Sequence, residues 1–162
     1  MMNELVPVTL VWSRCDAGDV DALLAIEQQV YSHPWTRGNF LDSLSAAHWA
    51  WKGNMGDAGL RVYWLALPVL DELHLLNLAV HPDSWGQGLA RSAIAHLVEQ
   101  ARSHDMKDIW LEVRESNQRA QVLYRRQGFS IIGRRRGYYP AGAGEREDAL
   151  LMRLPLAPLE AR

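Results

Sequence analysis

The chain has 162 residues, a formal net charge of -2, 48% hydrophobic and 22% charged residues, the size and balance of one soluble globular domain that buries about two thirds of its unfolded surface. The slightly acidic balance gives no global attraction to nucleic acid, so no direct nucleic-acid partner is expected, and no apolar run approaches the ~20 residues of a membrane span. Cys15 is the only cysteine, which excludes an internal disulfide and argues against a thiolate metal site, and the six histidines show no ligand-pair spacing, so no metal is expected.

Val6 to Ser13 alternates loosely and reads as a first strand. Asp16 is a helix cap ahead of Val20, Leu23, Leu24, Ile26 and Val30 at helical spacing. That helix must stop near Tyr31-Ser32-His33-Pro34, because proline disfavours helical geometry in the residue before it. Thr36 caps a second short helix carrying Phe40, Leu41 and Leu44. Trp49 to Leu67 reads as two antiparallel strands interrupted at Asn54-Met55-Gly56-Asp57-Ala58-Gly59, a hairpin loop by composition. Leu73 to Val80 is almost wholly apolar, as expected of a strand covered on both faces.

The next helix carries Leu89, Ala93, Leu97 and Ala101 with Ala90, Ile94 and Val98 beside them, and ends near Ser103-His104-Asp105. Ile109 to Arg114 returns as a strand, giving a parallel crossover. Ser116 is read as the cap of the last helix and Gly128 as its left-handed terminator, with Phe129 packing back. Phe129 to Arg136 and Ala149 to Leu154 then pair antiparallel. The pattern predicts a single α/β (α+β) domain over 1–156 with a mixed, mostly antiparallel sheet of about six or seven strands, and a tail at 157–162. The N-terminus has no basic segment followed by an apolar core, so a cytoplasmic location is expected.

The stretch around which these elements are arranged is Leu78-Ala79-Val80-His81-Pro82-Asp83-Ser84-Trp85-Gly86-Gln87-Gly88-Leu89-Ala90-Arg91, a strand end, a turn and a helix entry with two close glycines. Glycines let the backbone approach a ligand, and a helix start adds N–H groups and a positive dipole end, so this is a candidate anion cradle. It lacks the third glycine of a dinucleotide fingerprint and the Gly-Lys-Ser/Thr ending of a P-loop. Further on, Glu112 sits inside the apolar run Ile109-Trp110-Leu111-Glu112-Val113, where a carboxylate needs a polar cavity or a nearby arginine. Asn117 and Tyr124 lie close to two helical turns apart, so one ligand could touch both.

The glycine turn together with Trp110-Leu111-Glu112-Val113-Arg114-Glu115-Ser116-Asn117, Ala120, Leu123-Tyr124 and Gly128-Phe129 resembles the GCN5-related N-acetyltransferases (GNAT), and more narrowly their RimI type. The resemblance spans Cys15 to Leu156 and is strongest from Leu73 onward. It implies a sheet splayed near Val80 and acetyl-CoA as co-substrate, with the pyrophosphate on Gly86, Gln87, Gly88, Leu89, Ala90 and Arg91 and the pantetheine arm along the backbone of Leu78, Ala79 and Val80 and against Asn117. It assigns Glu112 as general base and Tyr124 as general acid, and it implies as acceptor the N-terminal alanine peptide of a small-subunit ribosomal protein. Arg134-Arg135-Arg136-Gly137-Tyr138-Tyr139-Pro140, Glu145 to Asp148 and His33-Pro34-Trp35 would border that peptide. Trp85 departs from the family's Gln or Arg at the first cradle position, with weaker cofactor binding as the expectation. Two other readings stay open: the same chemistry on other protein N-termini, a lysine side chain or a small amine, and a catalytically silent acyl-CoA-binding module.

Overall fold

The computed structural model describes residues 9–46 and 48–157. In chain order the elements are β1 (Val11–Arg14), α1 (Val20–Val30), α2 (Arg37–Ser45), β2 (Trp49–Asn54), β3 (Leu60–Val69), β4 (Glu72–Val80), α3 (Leu89–Ser103), β5 (Asp108–Arg114), α4 (Gln118–Arg126), β6 (Ser130–Pro140) and β7 (Arg146–Pro155). The seven strands hydrogen-bond in the order β1-β2-β3-β4-β5-β7-β6. The chain divides into two compact units, one made by the residues up to Leu65 with Leu78–Ala93, the other by Ala66–Asn77 with Ile94 onward.

In the first unit β1 pairs antiparallel with β2, from Val11↔Asn54 to Arg14↔Trp51. The strand starts later than the sequence pattern suggests, and Val6 to Val8 lie outside the described residues, as do residues 158–162 of the expected tail. Asp16 caps a short 3-10 turn (Ala17–Asp19) through a reciprocal pair with Asp19, and α1 follows at once. Thr36 and Asn39 cap α2 in the same reciprocal way, at 2.9 and 3.1 Å. Val20, Leu23, Ile26, Phe40, Ala50, Tyr63, Leu65 and Ala79 form this unit's core.

In the second unit the parallel ladder of β4 with β5 runs from Glu72↔Asp108 to Leu75↔Leu111, while the strands themselves continue to Val80 and Arg114. The expectation that β4 is covered on both faces holds only for its second half: the first half alternates, and Leu76 is exposed. The helix α4 ends as anticipated. Gly128 takes φ +101, its N–H bonds Arg125 O at 3.0 Å and the Phe129 N–H bonds Tyr124 O at 3.0 Å, the paired closure of a Schellman motif. Its start differs from expectation. Asn117, not Ser116, is the cap: Asn117 Oδ1 accepts from Ala120 N at 3.2 Å, while the Ser116 N–H is drawn to Glu147 Oε2 at 3.2 Å.

Candidate active site

The cradle lies in the first unit. Gly86 and Gly88 sit at φ +82 and +76, which side-chain-bearing residues rarely adopt, so the turn requires glycine by conformation rather than for space. The first helical bond of α3 is Ser92 N to Gly88 O at 3.0 Å, so the amides of Leu89, Ala90 and Arg91 precede the ladder and have no intrahelical acceptor. The Arg91 guanidinium arches back over the turn, where a Cβ on Gly88 would stand 3.5 Å from Nη2. Helix-start amides, left-handed glycines and a guanidinium form a positively polarised pocket for a phosphate-type anion.

The strand that feeds the cradle is already tied by side chains. The Tyr31 hydroxyl donates to Leu78 O, and the Trp85 indole N–H donates to Val80 O at 2.9 Å. Two of the three carbonyls in Leu78-Ala79-Val80 therefore carry a side-chain bond. The segment between α1 and α2 is held from below by Glu27, only 1% exposed, whose Oε1 accepts from Trp35 N at 3.0 Å and whose Oε2 accepts from Tyr63 OH at 2.5 Å. Trp35 packs on Phe40 with ring centroids 5.2 Å apart.

The second unit holds the titratable cluster. In β5 burial alternates, so Ile109, Leu111 and Val113 face the core while Trp110, Glu112 and Arg114 share the other face. Glu112 is thus not enclosed by apolar side chains as its neighbours in sequence suggest. It pairs with Arg135 Nε at 3.2 Å, with side chains 22% and 56% exposed respectively. Tyr124, from α4, packs edge-on against Phe129 at 5.6 Å, and burial pushes its phenol up to about 12, with Tyr139 adding a smaller push. Tyr139, from β6, is also pushed up to about 12, first by burial and then by the carboxylate of Glu112. Its ring receives the Arg114 guanidinium at 4.5 Å from the centroid. Glu112, Tyr139 and Tyr124 are therefore within electrostatic reach in series.

The neighbouring charge runs are spent on each other. Arg134 Nη1 meets Glu115 at 2.7 Å and Asp148 at 2.9 Å, Asp148 Oδ1 accepts from Gly137 N at 2.9 Å, and Arg114 meets Glu147 at 2.8 Å. Arg146 reaches the carbonyls of Gly137 at 2.6 Å and Tyr138 at 3.0 Å. Asn117 spends its oxygen on the helix cap, so a ligand contact from it falls to its Nδ2.

One residue at this site carried no signal in the sequence, and another, Tyr139, was read only as part of the loop bordering the acceptor peptide. Gln121, buried on α4, donates to Arg114 O at 3.2 Å and Glu115 O at 2.8 Å, fixing the turn from β5 into α4. Tyr139 stands in the Tyr-Tyr-Pro run, but only the bulges in β6 between Ile131/Gly133 and Arg135/Tyr139 decide which of the two tyrosines is half-buried. Among the described residues no cluster of three or more His, Cys, Asp or Glu is placed to hold a metal ion.

In chain order a left-handed glycine turn opens a long helix, a parallel crossover follows, and β5 and α4 then carry a carboxylate and a phenol. Residues 20–129 match the acetyltransferase (GNAT) family, and the chain belongs to that family of acyltransferases. It is 34% identical over 145 residues to the ribosomal protein bS18-alanine N-acetyltransferase of Escherichia coli (strain K12), covering 90% of this chain and 97% of that one. The enzyme of the same name from Haemophilus ducreyi is 37% identical over 138 residues, covering 85% and 94%. The crystal structure of the Escherichia coli ribosomal-protein-S18-alanine N-acetyltransferase superposes with a TM-score of 0.85 at 33% identity, covering 93% of this chain and 97% of that one. The seven-stranded mixed sheet with its helices is the GNAT fold.

Proposed function

We propose that the chain transfers an acetyl group from acetyl-CoA to the N-terminal alanine amine of ribosomal protein bS18, acting in the cytoplasm as a single acetyltransferase domain over 1–156. The acceptor is taken from the relatives that share a third of the sequence over nearly its whole length. What supports the chemistry is a partly exposed carboxylate, Glu112, on β5 and a protonated phenol, Tyr124, on α4, each within electrostatic reach of Tyr139. Acetyl-CoA supplies the acetyl group activated as a thioester. Its pyrophosphate suits the amides of Gly86 to Arg91 and the Arg91 guanidinium, and Leu78, Ala79, Val80 and Asn117 are the residues for its pantetheine arm.

An α-amine with a pKa near 7.7–8.0 is only about a tenth neutral at neutral pH. Glu112 accepts the proton the amine loses as the amide bond forms. Its partner Arg135 is more than half exposed, and such a pair contributes only about 0–1 kcal/mol, so it yields readily to an incoming ammonium group. Tyr124 gives its proton to the departing thiolate, which balances the proton taken by Glu112 and leaves no covalent enzyme intermediate. A phenol at about 12 is fully protonated at neutral pH, as a donor must be.

The experiment is acetyl-CoA-dependent acetylation of a synthetic peptide carrying the bS18 N-terminus, beside its N-terminally blocked form, a peptide with an internal lysine, and a Tyr124→Phe enzyme. Transfer to the free N-terminus alone is expected, with kcat lowered about 100-fold or more in the variant. Transfer to the lysine peptide or the blocked peptide at equal rate would refute the acceptor, and unchanged kcat in the variant would refute the acid.

A further inference from the structure

Glu112 and Arg135 stand on strands that are not neighbours. β7 runs between β5 and β6, and Ala149 on β7 is in register with Arg114 on one side and with Arg135 on the other. Two strand spacings are about 9–10 Å, a span that a long side chain crosses most easily over a small residue, and Ala149 is fully buried there. Arg135 Nε reaches Glu112 Oε1 at 3.2 Å, and its guanidinium lies 5.2 Å from the centroid of the Tyr138 ring, so it is held from two sides. The other cation on this face of β5, Arg114, spends its charge on Glu147 at 2.8 Å and lies over Tyr139. Tyr139, pushed up to about 12, is uncharged at neutral pH. Arg135 is therefore the charge that balances Glu112.

That balance matters to a base that works on an amine. At neutral pH about nine-tenths of an α-amine is ammonium, which cannot attack a thioester. A bare carboxylate would hold the ammonium form as an ion pair, a contact made before the reaction and given up when the neutral amine attacks, so it would lower KM and kcat together. With Arg135 in place the ammonium enters a cluster that is already neutral, and it gains less. Resting on the reading of Glu112 as the base, we infer that Arg135 is a positioning residue that keeps Glu112 from trapping the protonated acceptor: it competes for the carboxylate, and the Tyr138 ring keeps its charge at the site when the contact is given up.

The test compares wild-type protein with Arg135→Gln and Arg135→Lys at pH 7. Two peptides of the bS18 N-terminal sequence are titrated calorimetrically in the presence of CoA, which lacks the acetyl group and so allows binding without reaction. One carries the free alanine amine, and the other has propionyl in place of alanine and no charge at that end. Loss of a competing, half-exposed cation predicts about five-fold tighter binding of the free peptide to Arg135→Gln, with the propionyl peptide unchanged. In steady-state assays with acetyl-CoA, KM for the free peptide and kcat should both fall by about that factor, leaving kcat/KM nearly constant. Arg135→Lys, which keeps the charge, should stay near wild type in each measurement. A structural disturbance moves both peptides together, so an unchanged ratio of their affinities in Arg135→Gln overturns the inference, as does a fall in kcat/KM at constant KM. Wild-type protein that acetylates no free peptide overturns the acetyltransferase reading itself. Undiminished kcat/KM in Glu112→Gln overturns the base assignment, and this inference with it, while acetyl transfer still stands.

Discussion

Tyr124 keeps its proton far into alkaline solution because burial penalises the phenolate, and electrostatic repulsion from Tyr139 adds a smaller push. The sign follows directly: a donor whose pKa rises from 10.0 to about 12 stays competent through the range in which an ordinary tyrosine would be lost. Plots of kcat against pH should therefore hold a plateau past pH 10 with no falling limb there, and Tyr139→Phe should draw the limb downward by removing the smaller cause. A limb near the ordinary tyrosine value in the wild type would assign the proton to another group. Glu27 illustrates a different kind of single-residue dependence. Removing its carboxylate strands the Tyr63 hydroxyl and the Trp35 amide in the first unit's core. Glu27→Ala should cost about 2–4 kcal/mol in urea unfolding, and Glu27→Gln, which keeps one acceptor, clearly less. Neither effect was legible in the sequence, where Glu27 sits among Ile26, Gln28 and Gln29 as one more polar helix residue.

At the scale of elements, legibility followed local chemistry. The cap at Thr36, the proline stop after α1 and the glycine stop after α4 are decided within a few residues and stand in the structure, while Asp16 caps the 3-10 turn ahead of α1 rather than α1 itself. What depended on a partner distant in sequence did not show. Ser116 has the right type for a cap, but Glu147, 31 residues on, takes its N–H and leaves the cap to Asn117. The β6–β7 hairpin is longer than its apolar alternation suggests because Arg134, Arg146 and Asp148 tie its outer half with an ion pair and carbonyl contacts, while Glu147 joins it to β5 through Arg114. That device is acid-sensitive. Arg134 and the Gly137 N–H hold Asp148 below 3.8, and Arg114 with Ser116 holds Glu147 below 4.5. Both carboxyls have depressed folded values, so their contribution is present above the ordinary carboxylate range and disappears as pH falls through the folded values. Asp148→Asn should be less stable than wild type at about pH 6, with the gap closing toward about pH 2, as followed by urea midpoints. A gap that persists unchanged at low pH would show that the pair contributes nothing through its charge.

For the whole molecule, the sequence carried the order of strands and helices and the family, because GNAT motifs are backbone motifs: glycines with positive φ, a parallel crossover and a helix stop leave direct traces in residue type. It did not carry the side-chain couplings, since the reach of Glu112 to Tyr139 and of Tyr139 to Tyr124 depends on bulges in β6 and on the alternation of β5. The same division bears on how ligand binding should act on stability. The Leu78–Val80 segment is tied by Tyr31 and Trp85, so on the proposed reading CoA would meet a surface braced by the fold. A ligand that binds only the folded state at 100 times its dissociation constant adds about 2.7 kcal/mol. In a chain of this size that corresponds to a rise in Tm of about 5–10 °C. CoA and acetyl-CoA should both produce it in a thermal melt, because the thioester acetyl group adds little to a grip made on the pyrophosphate and pantetheine. Bulk phosphate at the same concentration should not, since one anion satisfies only the glycine turn. A rise with phosphate equal to that with CoA would mean that the turn binds anions without recognising the cofactor, and the acetyl-CoA reading would lose its structural support.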